Sequence, residues 1–522
     1  MNGWALVVWS NEPVAIIMIP LVAALLALLL GRRALPWLPL LVIAGVVLAL
    51  TGLTKTVWMT GPQRYTIGGW GAPLGIDLYS DGLSLLMLWM TTLVGGLVSL
   101  YGFGYFRFKD HQNTLFWPLW LLLWTALNAL FLAADIFNLY VTLELLNLAA
   151  VALVVLAGGA AALTAGMRYL LFALLGSFAY LLGVALLYGG FGTLDMAQLG
   201  QALTAGTLSG TAIALIIVGL LIKTAIFPFH VWLPPAHTNA PAPVSALLSA
   251  LVVKAAFYLL LRLWLVVFPA VLVPILGQVL GVLGTLAILY GSLQALRQSR
   301  LKMLVAYSTV AQLGYLLLVF PMGSLLALRG VVLLAVSHAL AKAALFLAAG
   351  NVLRVLGHDR LRELNALEQR LPLTLFAFGL AGISIMGLPP SGGFLAKWLL
   401  FKAALTSGQW WWGVIVLVGG LLAAGYIFRA LRYAFAQTAA APPEPSAGLP
   451  LTLTMQFSPF LLALLALALG LTGAPMLALL DSPSPEFLSA EIPQINWSNA
   501  LPPLVLLTSL STGIFIFLLG VA

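Results

Sequence analysis

Seven ionisable side chains lie inside long apolar stretches of this sequence, where a charge is costly. They are Glu144, Arg168, Lys223, Lys254, His338, Lys342 and Lys397. A charge persists in such a stretch when it pairs, lines a wet path or titrates. Histidine titrates near neutral pH, and the proton affinity of a lysine depends on burial and on its distance from a carboxylate. These residue types therefore predict proton exchange between buried groups.

Glu144 and Lys223 are the first candidate pair. Helical spacing places Tyr140, Glu144 and Asn147 on one face, which we expect to look into the protein. Lys223 precedes TAIFPFHVWLPPAH (224–237), whose prolines must break the helix and expose carbonyls that need water or protein partners. We therefore expect Lys223 beside a wet break, with Glu144 as its partner. The structural alternatives are a carboxylate tied to a neighbouring helix and a lysine that snorkels to the surface.

Lys397 repeats this arrangement in the second half of the chain. It follows GLPPSGGFLA (387–396), so here the break precedes the lysine. Two proline-interrupted segments with opposite placement of the break predict an inverted repeat.

The remaining buried cations predict a relay between these two lysines. His338 and Lys342 are one helical turn apart and share a face. Lys254 has no acid in its own helix, so its partner must come from elsewhere in the protein. Arg168 lies near the start of its helix, and we expect a structural role for it and not one in proton transfer, because its side chain can snorkel to the membrane surface.

The composition indicates that the helices carrying these residues lie in a lipid bilayer. Of 522 residues, 62% are hydrophobic and 7% are charged, whereas a soluble domain carries about a quarter charged residues. A water-soluble enzyme is therefore excluded, and the chain is predicted to be an all-α polytopic membrane protein. The absence of cysteine excludes disulfides, thiolate metal sites and iron–sulfur clusters. No phosphate-binding loop or metal-ligand spacing occurs, so neither a cofactor, nor a metal, nor a nucleic-acid partner is expected.

Runs of about 20 apolar residues, the length that crosses a bilayer, predict fifteen helices, the twelfth of them broken. Their approximate positions are 13–30, 36–53, 82–104, 114–133, 135–157, 166–190, 208–227, 242–266, 271–293, 303–321, 329–354, 372–407, 411–434, 453–479 and 499–521. Spans four to eight and nine to thirteen form two units of five, and an odd number of spans inverts the second unit. The predicted division is 1–110, 111–268, 269–436 and 437–522, where the last part begins with a Pro/Ala-rich connector.

The loop charges predict the orientation. One side of the membrane receives thirteen basic residues: Arg32, Arg33, Arg107, Lys109, Arg297, Arg300, Lys302, Arg354, Arg360, Arg362, Arg370, Arg429 and Arg432. The other side receives four: Lys55, Arg64, Arg262 and Arg329. Basic loops stay in the cytoplasm, so we expect the N-terminus outside and the C-terminus in the cytoplasm.

These residues resemble the antiporter-like membrane subunits shared by Mrp-type sodium/proton antiporters, respiratory complex I with its photosynthetic relative, and membrane-bound hydrogenases. The match covers nearly the whole chain. The matching pieces are LELL around Glu144, Lys223 before PFHVWLP, Ala236-His237, PVSALLS (243–249) leading to Lys254, LKMLVAYS (301–308), SHAL (337–340) with Lys342, and GLPP (387–390) leading to Lys397.

The resemblance implies two inverted five-helix repeats, each with a half-channel and a broken helix, joined by a central hydrophilic axis. It implies that Glu144 and Lys223 are a switching ion pair, Lys254 and His338 a connecting relay, and Lys397 the terminal proton site. His237 and Lys342 match positions near these paths, and Tyr140 is an accessory candidate. Pro235 departs from the family pattern, in which an acidic residue or glycine is common before Ala-His.

Within this family, GGWGAPLGI (68–76) followed by DGLS (81–84) looks most like the D-type member of Mrp-type antiporters. We therefore expect a proton-translocating subunit of a monovalent cation/proton antiporter in the bacterial cytoplasmic membrane or another energy-coupling membrane such as the thylakoid. Its expected partners are sister antiporter-like and small membrane subunits, lipid, protons and either Na⁺ or K⁺. The alternatives are a pumping subunit of a redox-driven complex and a non-conducting scaffold.

Overall fold

The computed structural model describes residues 11–31, 37–107, 110–269, 274–436 and 450–480, which are almost entirely helical. The α-helices are α1 (Glu12–Leu30), α2 (Leu38–Thr60), α3 (Gly82–Phe106), α4 (Asp110–Leu132), α5 (Ile136–Val155), α6 (Gly159–Phe191), α7 (Met196–Ala202), α8 (Thr207–Lys223), α9 (Leu233–Asn239), α10 (Ala242–Leu247), α11 (Val253–Val266), α12 (Pro274–Arg297), α13 (Leu301–Leu316), α14 (Val319–Met322), α15 (Leu325–Leu356), α16 (Leu367–Arg370), α17 (Pro372–Met386), α18 (Gly392–Thr406), α19 (Trp410–Phe435) and α20 (Leu453–Leu480).

Twelve helical segments of the described residues are long and apolar enough to cross a membrane. The two predicted broken spans are present as shorter helices, α8 before one break and α17 and α18 around the other. The all-α polytopic fold is confirmed, and fourteen of the fifteen predicted spans have a counterpart. The fifteenth, 499–521, and residues 437–449 of the connector lie outside the described residues.

The segment between α2 and α3 folds as a β-hairpin, where the sequence suggested only a loop. Strands β1 (Gln63–Thr66) and β2 (Asp77–Ser80) pair antiparallel, with Gln63 opposite Ser80. The Arg64 guanidinium donates to Asp77 at 2.7 Å and also to Asp195. The hairpin is thereby anchored to the loop before α7.

Arg262, predicted as a loop charge, lies inside α11 and is 5% exposed. Its two terminal nitrogens donate hydrogen bonds to the two oxygens of the Asp81 carboxylate at 2.5 and 2.7 Å. Asp81 also caps α3, because its side chain accepts from the Ser84 backbone in a capping box. Burial alone would raise the pKa of Asp81, but the charge and hydrogen bonds of Arg262 lower it below its ordinary value. The prediction that Arg262 lies in a loop is therefore wrong. Burial of this arginine inside α11 is tolerated because Asp81 is a bidentate partner.

Glycines bring α6 and α8 into close contact. A Cβ on Gly219 would lie 2.5 Å from the carbonyl oxygen of Gly176, and one on Gly176 would lie 2.8 Å from that of Gly219. Small residues of this kind let helix backbones approach closely in membranes. The close approach sets the end of α8, with Lys223, against the middle of α6.

Candidate functional site

Glu144 and Lys223 form an ion pair between α5 and the C-terminal end of α8. The Lys223 ammonium donates to Glu144 Oε1 at 2.9 Å. The lysine side chain is 2% exposed and the glutamate side chain 20% exposed. The predicted pair is therefore present, and its lysine is the more deeply buried member. A cation at the last residue of a helix is also favoured by the free carbonyls there.

Ser177 of α6 is the second donor to Glu144, and little in the sequence indicates this role. Its hydroxyl donates to the same Oε1 atom that Lys223 contacts, and also reaches the Ala173 carbonyl at 2.9 Å. Asn147, on the face predicted for Glu144, approaches Oε1 only at 3.5 Å. One carboxylate oxygen is thus shared by a charged and a neutral donor.

The face of α5 that carries Glu144 looks outward more than expected. Phe137, Val141 and Leu148 lie along this stripe and are 44%, 47% and 56% exposed. Tyr140 is half-buried and stacks near Phe137, with ring centroids 5.9 Å apart. The predicted inward face is present in part: Asn147 is 4% exposed and Tyr140 is half-buried, whereas Glu144 reaches Lys223 from the edge of an exposed apolar stripe.

The break after Lys223 is as predicted from its prolines. Residues 224–228 leave the α-helix, and a short 3₁₀ turn at Phe229–Trp232 leads into α9. Trp232 closes the break, because its indole donates to the Ile222 carbonyl at 3.0 Å and its ring stacks on Tyr169 at 4.2 Å. Pro235 lies inside α9, where its carbonyl accepts from the Asn239 side chain at 2.9 Å.

Among the described residues, Lys254 is held by an oxygen of its own helix and not by an acid from another element. The backbone at Leu248–Val252 forms a π-helical turn between α10 and α11. The Lys254 ammonium, fully buried, donates to the Ser249 carbonyl. A π turn disturbs the regular hydrogen-bond ladder, and here a carbonyl of that turn takes the ammonium as its partner. The expected partner on another element is thus replaced by a backbone oxygen.

His237 lies beside three lysines. It is 1% exposed, and its ring stacks on Phe346 at 4.8 Å. Lys254, Lys302 and Lys342 are within electrostatic range of it. Lys302, predicted as a loop charge, is buried at the start of α13, and its ammonium donates to the Ala240 carbonyl at 2.6 Å. The motif LKMLVAYS contains this lysine, but it was grouped with the arginines of the neighbouring loops, so its burial was not expected.

His338 and Lys342 occupy one buried face of α15, as predicted. Lys342 donates to Ser308 Oγ and, at 3.0 Å, to the Val305 carbonyl. His338 is 2% exposed, and among the described residues neither of its ring nitrogens has a hydrogen-bond partner. Lys254, Lys342 and Lys397 all lie within its electrostatic range. The histidine is therefore close to three of the four lysines that the sequence singled out, Lys223 being the exception.

Lys397 lies in α18, just after the second break, which separates α17 from α18. Its ammonium donates to the carbonyls of Ile385 at 2.8 Å and Met386 at 3.3 Å, which end α17. It also lies 4.6 Å from the ring centre of Tyr315, within cation–π range. A cavity of about 50 Å³ adjoins it, with room for water. Arg168, in contrast, is exposed on α6 and joins none of these groups.

Comparison with known proteins gives matches along most of the chain. Residues 133–423 match the family described as NADH:quinone oxidoreductase/Mrp antiporter, transmembrane, and residues 69–117 match the N-terminus of chain 5 of NADH-ubiquinone oxidoreductase (complex I). The N-type subunit of NADH-quinone oxidoreductase from Desulforudis audaxviator is 37% identical over 435 residues, which are 82% of this chain and 87% of that protein. The D-type subunit of the Na⁺/H⁺ antiporter from Bacillus subtilis is 28% identical over 442 residues, 84% and 89% of the two chains.

Among solved structures, a chain of the Mrp complex from Dietzia sp. DQ12-45-1b superposes with a TM-score of 0.82. The sequence identity is 26%, and the match covers 90% of this chain and 96% of that one. The structural similarity therefore extends over nine-tenths of this chain.

Proposed function

Since the chain belongs to the NADH:quinone oxidoreductase/Mrp antiporter family of membrane subunits, we propose that it carries protons along the row Glu144, Lys223, Lys254, His338 and Lys397. The observation that carries this proposal is the 2.9 Å ion pair at the end of a broken helix. The other lysines of the row, Lys254 and Lys397, and the accessory Lys342 rest on neutral oxygens. Each can therefore lose its proton without leaving a buried carboxylate unpaired.

The Glu144–Lys223 pair acts as the switch. While the pair is closed, the carboxylate stabilises the protonated lysine. When it opens, Ser177 can keep Glu144 hydrogen-bonded, and the lysine proton is transferred toward Lys254 and His338. Lys397 then releases a proton into the water-accessible cavity beside it. The two broken helices supply one half-channel each, in two inverted five-helix repeats at 111–268 and 269–436. His237, Lys342 and Tyr140 are accessory residues near these paths.

The exposed stripe of α5 supports a sister subunit as partner. Glu144 is 20% exposed, between Val141 and Leu148. A carboxylate facing lipid near the middle of a span is costly, whereas an apolar stripe with one acid suits a protein neighbour. We infer that an antiporter-like or small membrane subunit covers this stripe. Substituting Val141 with aspartate should then reduce recovery of the neighbouring subunit, whereas the same change at exposed Leu286 of α12 should leave it unchanged.

For the assembly, we propose a Mrp-type monovalent cation/proton antiporter, on the resemblance of residues 68–84 to its D-type member. The second candidate is a pumping subunit of a redox-driven complex, which is favoured by the 37% identity to an N-type subunit of NADH-quinone oxidoreductase. We place the chain in an energy-coupling membrane, the bacterial cytoplasmic membrane first, with the N-terminus outside. In either assembly Na⁺ or K⁺ would be moved only by the whole complex.

The assembly is tested by extracting the protein from its native membrane in mild detergent and identifying its partners by mass spectrometry. Small antiporter subunits without cofactor proteins support the first candidate. Iron–sulfur or nickel–iron subunits support the second.

The proton path is tested in vesicles that contain the assembled complex, with Glu144→Gln, Lys223→Met and Lys397→Met. We expect each to abolish proton transport while the complex still assembles. Arg168→Met is the matched control, because its side chain is exposed and outside the row. If the three variants lose assembly but the surviving complex transports normally, the row is structural and the chain is a scaffold.

A further inference from the structure

Tyr426 is a buried hydroxyl that belongs to no motif of the sequence. It lies on α19, is fully buried, and makes no hydrogen bond of full strength among the described residues. Its hydroxyl faces the Ser308 hydroxyl and the Gln312 amide, which are one turn apart on α13. A buried polar group in this situation requires an explanation, because phenylalanine would fill the same space without the cost of an unpaired hydroxyl.

The groups around Tyr426 connect the accessory Lys342 with Lys397, the last lysine of the proposed path. On one side, Ser308 Oγ accepts from Lys342. On the other side, Gln312 Nε2 donates at 3.3 Å to the Ile385 carbonyl, which also accepts from Lys397 at 2.8 Å. Tyr426 therefore lies between the contacts of Lys342 and those of Lys397.

A second tyrosine extends this region toward Lys397. Tyr315 is fully buried one turn after Gln312, within electrostatic range of Tyr426. Its ring lies 4.6 Å from the Lys397 ammonium. The cavity beside Lys397 is lined in part by Gly420 and Ala424, on the same helix as Tyr426.

From this arrangement we propose that Tyr426 provides a second proton connection to Lys397, which starts at the accessory Lys342 and runs parallel to the link through His338; the inference rests on the proposed proton path. Hydroxyl groups both donate and accept. In one transfer the Ser308 hydroxyl turns from the Val305 carbonyl, to which it donates at 2.9 Å, toward Tyr426. The Lys342 ammonium then gives a proton to the Ser308 oxygen, and the original Ser308 proton passes to Tyr426. The proton of Tyr426 passes through a bridging water molecule to the neutral amine of Lys397, which borders the cavity. Both hydroxyls end unchanged, and one proton has moved between the lysines.

Gln312 has a positioning role. An amide is a poor proton carrier, but its Nε2 donates to the Ile385 carbonyl that Lys397 also contacts. It thus ties α13, which carries Ser308 and Tyr315, to the end of α17 that holds the Lys397 ammonium.

The test compares Tyr426→Phe, His338→Ala and the double variant in vesicles of the assembled complex, with Lys397→Met as the reference for a blocked path. With two parallel connections, each single variant should keep roughly half of the transport rate, and the double variant less than about a tenth. Tyr180→Phe is the matched control. It removes a buried hydroxyl that donates to the Ile136 carbonyl at 3.0 Å, outside the path, and should transport as wild type.

Ser308→Ala interrupts the same connection at its other end. It should lower transport as Tyr426→Phe does, and combining the two should add no further loss, because both lie on one route. This variant carries the test if the tyrosine variant assembles poorly. Transport that is unchanged by Tyr426→Phe or Ser308→Ala, alone and with His338→Ala, overturns the second connection. Normal transport by Lys397→Met refutes the proton path itself.

Discussion

The unequal burial of the Glu144–Lys223 pair predicts that its two single variants differ in stability. At 2.9 Å and an effective dielectric of about 20, the attraction between unit charges is about 6 kcal/mol. Part of it offsets the cost of desolvating the lysine. Glu144→Gln leaves a 2%-exposed ammonium with a neutral partner, which costs about 3–5 kcal/mol. Lys223→Met leaves a carboxylate that is 20% exposed and bonded to Ser177, which costs about 1–3 kcal/mol.

The assay is the temperature at which half of the detergent-solubilised complex aggregates, measured for both single variants and for the double variant. Unfolding of a large membrane complex is not two-state, so the order of the temperatures is compared and not an equilibrium free energy. We expect wild type to have the highest aggregation temperature, Lys223→Met a lower one and Glu144→Gln the lowest of the three. The double variant should recover toward Lys223→Met, because it strands no buried charge.

The reasoning is refuted if the double variant loses as much stability as the two single losses added together. That outcome would mean that the two side chains do not interact. Lys223→Arg is the control, since it keeps the charge and should stay closest to wild type in stability.

The remaining predictions concern the scaffold around the pair. Asp81→Ala should destabilise the protein by about 3–5 kcal/mol, because it strands the buried Arg262, and by about 1 kcal/mol more through loss of the helix cap; their combined effect should appear as a lower aggregation temperature than that of wild type. Since Arg262 lowers the pKa of Asp81, this contribution is present above about pH 4 and is lost as pH falls through the lowered pKa, so Asp81→Asn should flatten the acid limb of a melting-temperature profile. Gly219→Ala should cost about 1–3 kcal/mol and slow proton transport, because its Cβ would lie 2.5 Å from the carbonyl oxygen of Gly176. Gly210→Ala on the same helix meets open space and should do neither.

Much of the site could be predicted from the sequence, because its charges and helix breaks depend on the types of neighbouring residues. Mid-span charges such as Glu144 and Lys223 are rare, and prolines mark the two breaks beside Lys223 and Lys397. The fold class and most span limits followed from hydropathy, because segments of the length needed to cross a bilayer are long and apolar.

Other features depend on which helices meet in space. The partner of Arg262 is Asp81, 181 residues away, so a residue deep in a helix was assigned to a loop. Ser177 is a common kind of residue in a membrane helix, and only its place opposite Glu144 gives it significance. The π turn before Lys254 leaves no sign in the letters LSALV (248–252), because such turns are set by packing and not by propensity.

The oxygens that hold the buried lysines have a consequence for ion selectivity. Lys254, Lys342 and Lys397 rest on carbonyls or a hydroxyl, and within the described residues Glu144 is the one carboxylate placed in the row. When these lysines are protonated they repel a metal cation, and when they are neutral they present nitrogen where Na⁺ and other hard cations prefer oxygen. A proton passes such a row by exchange, whereas a metal ion meets a barrier in either state. If the assembly exchanges Na⁺ or K⁺, the metal ion must therefore cross the membrane by another route.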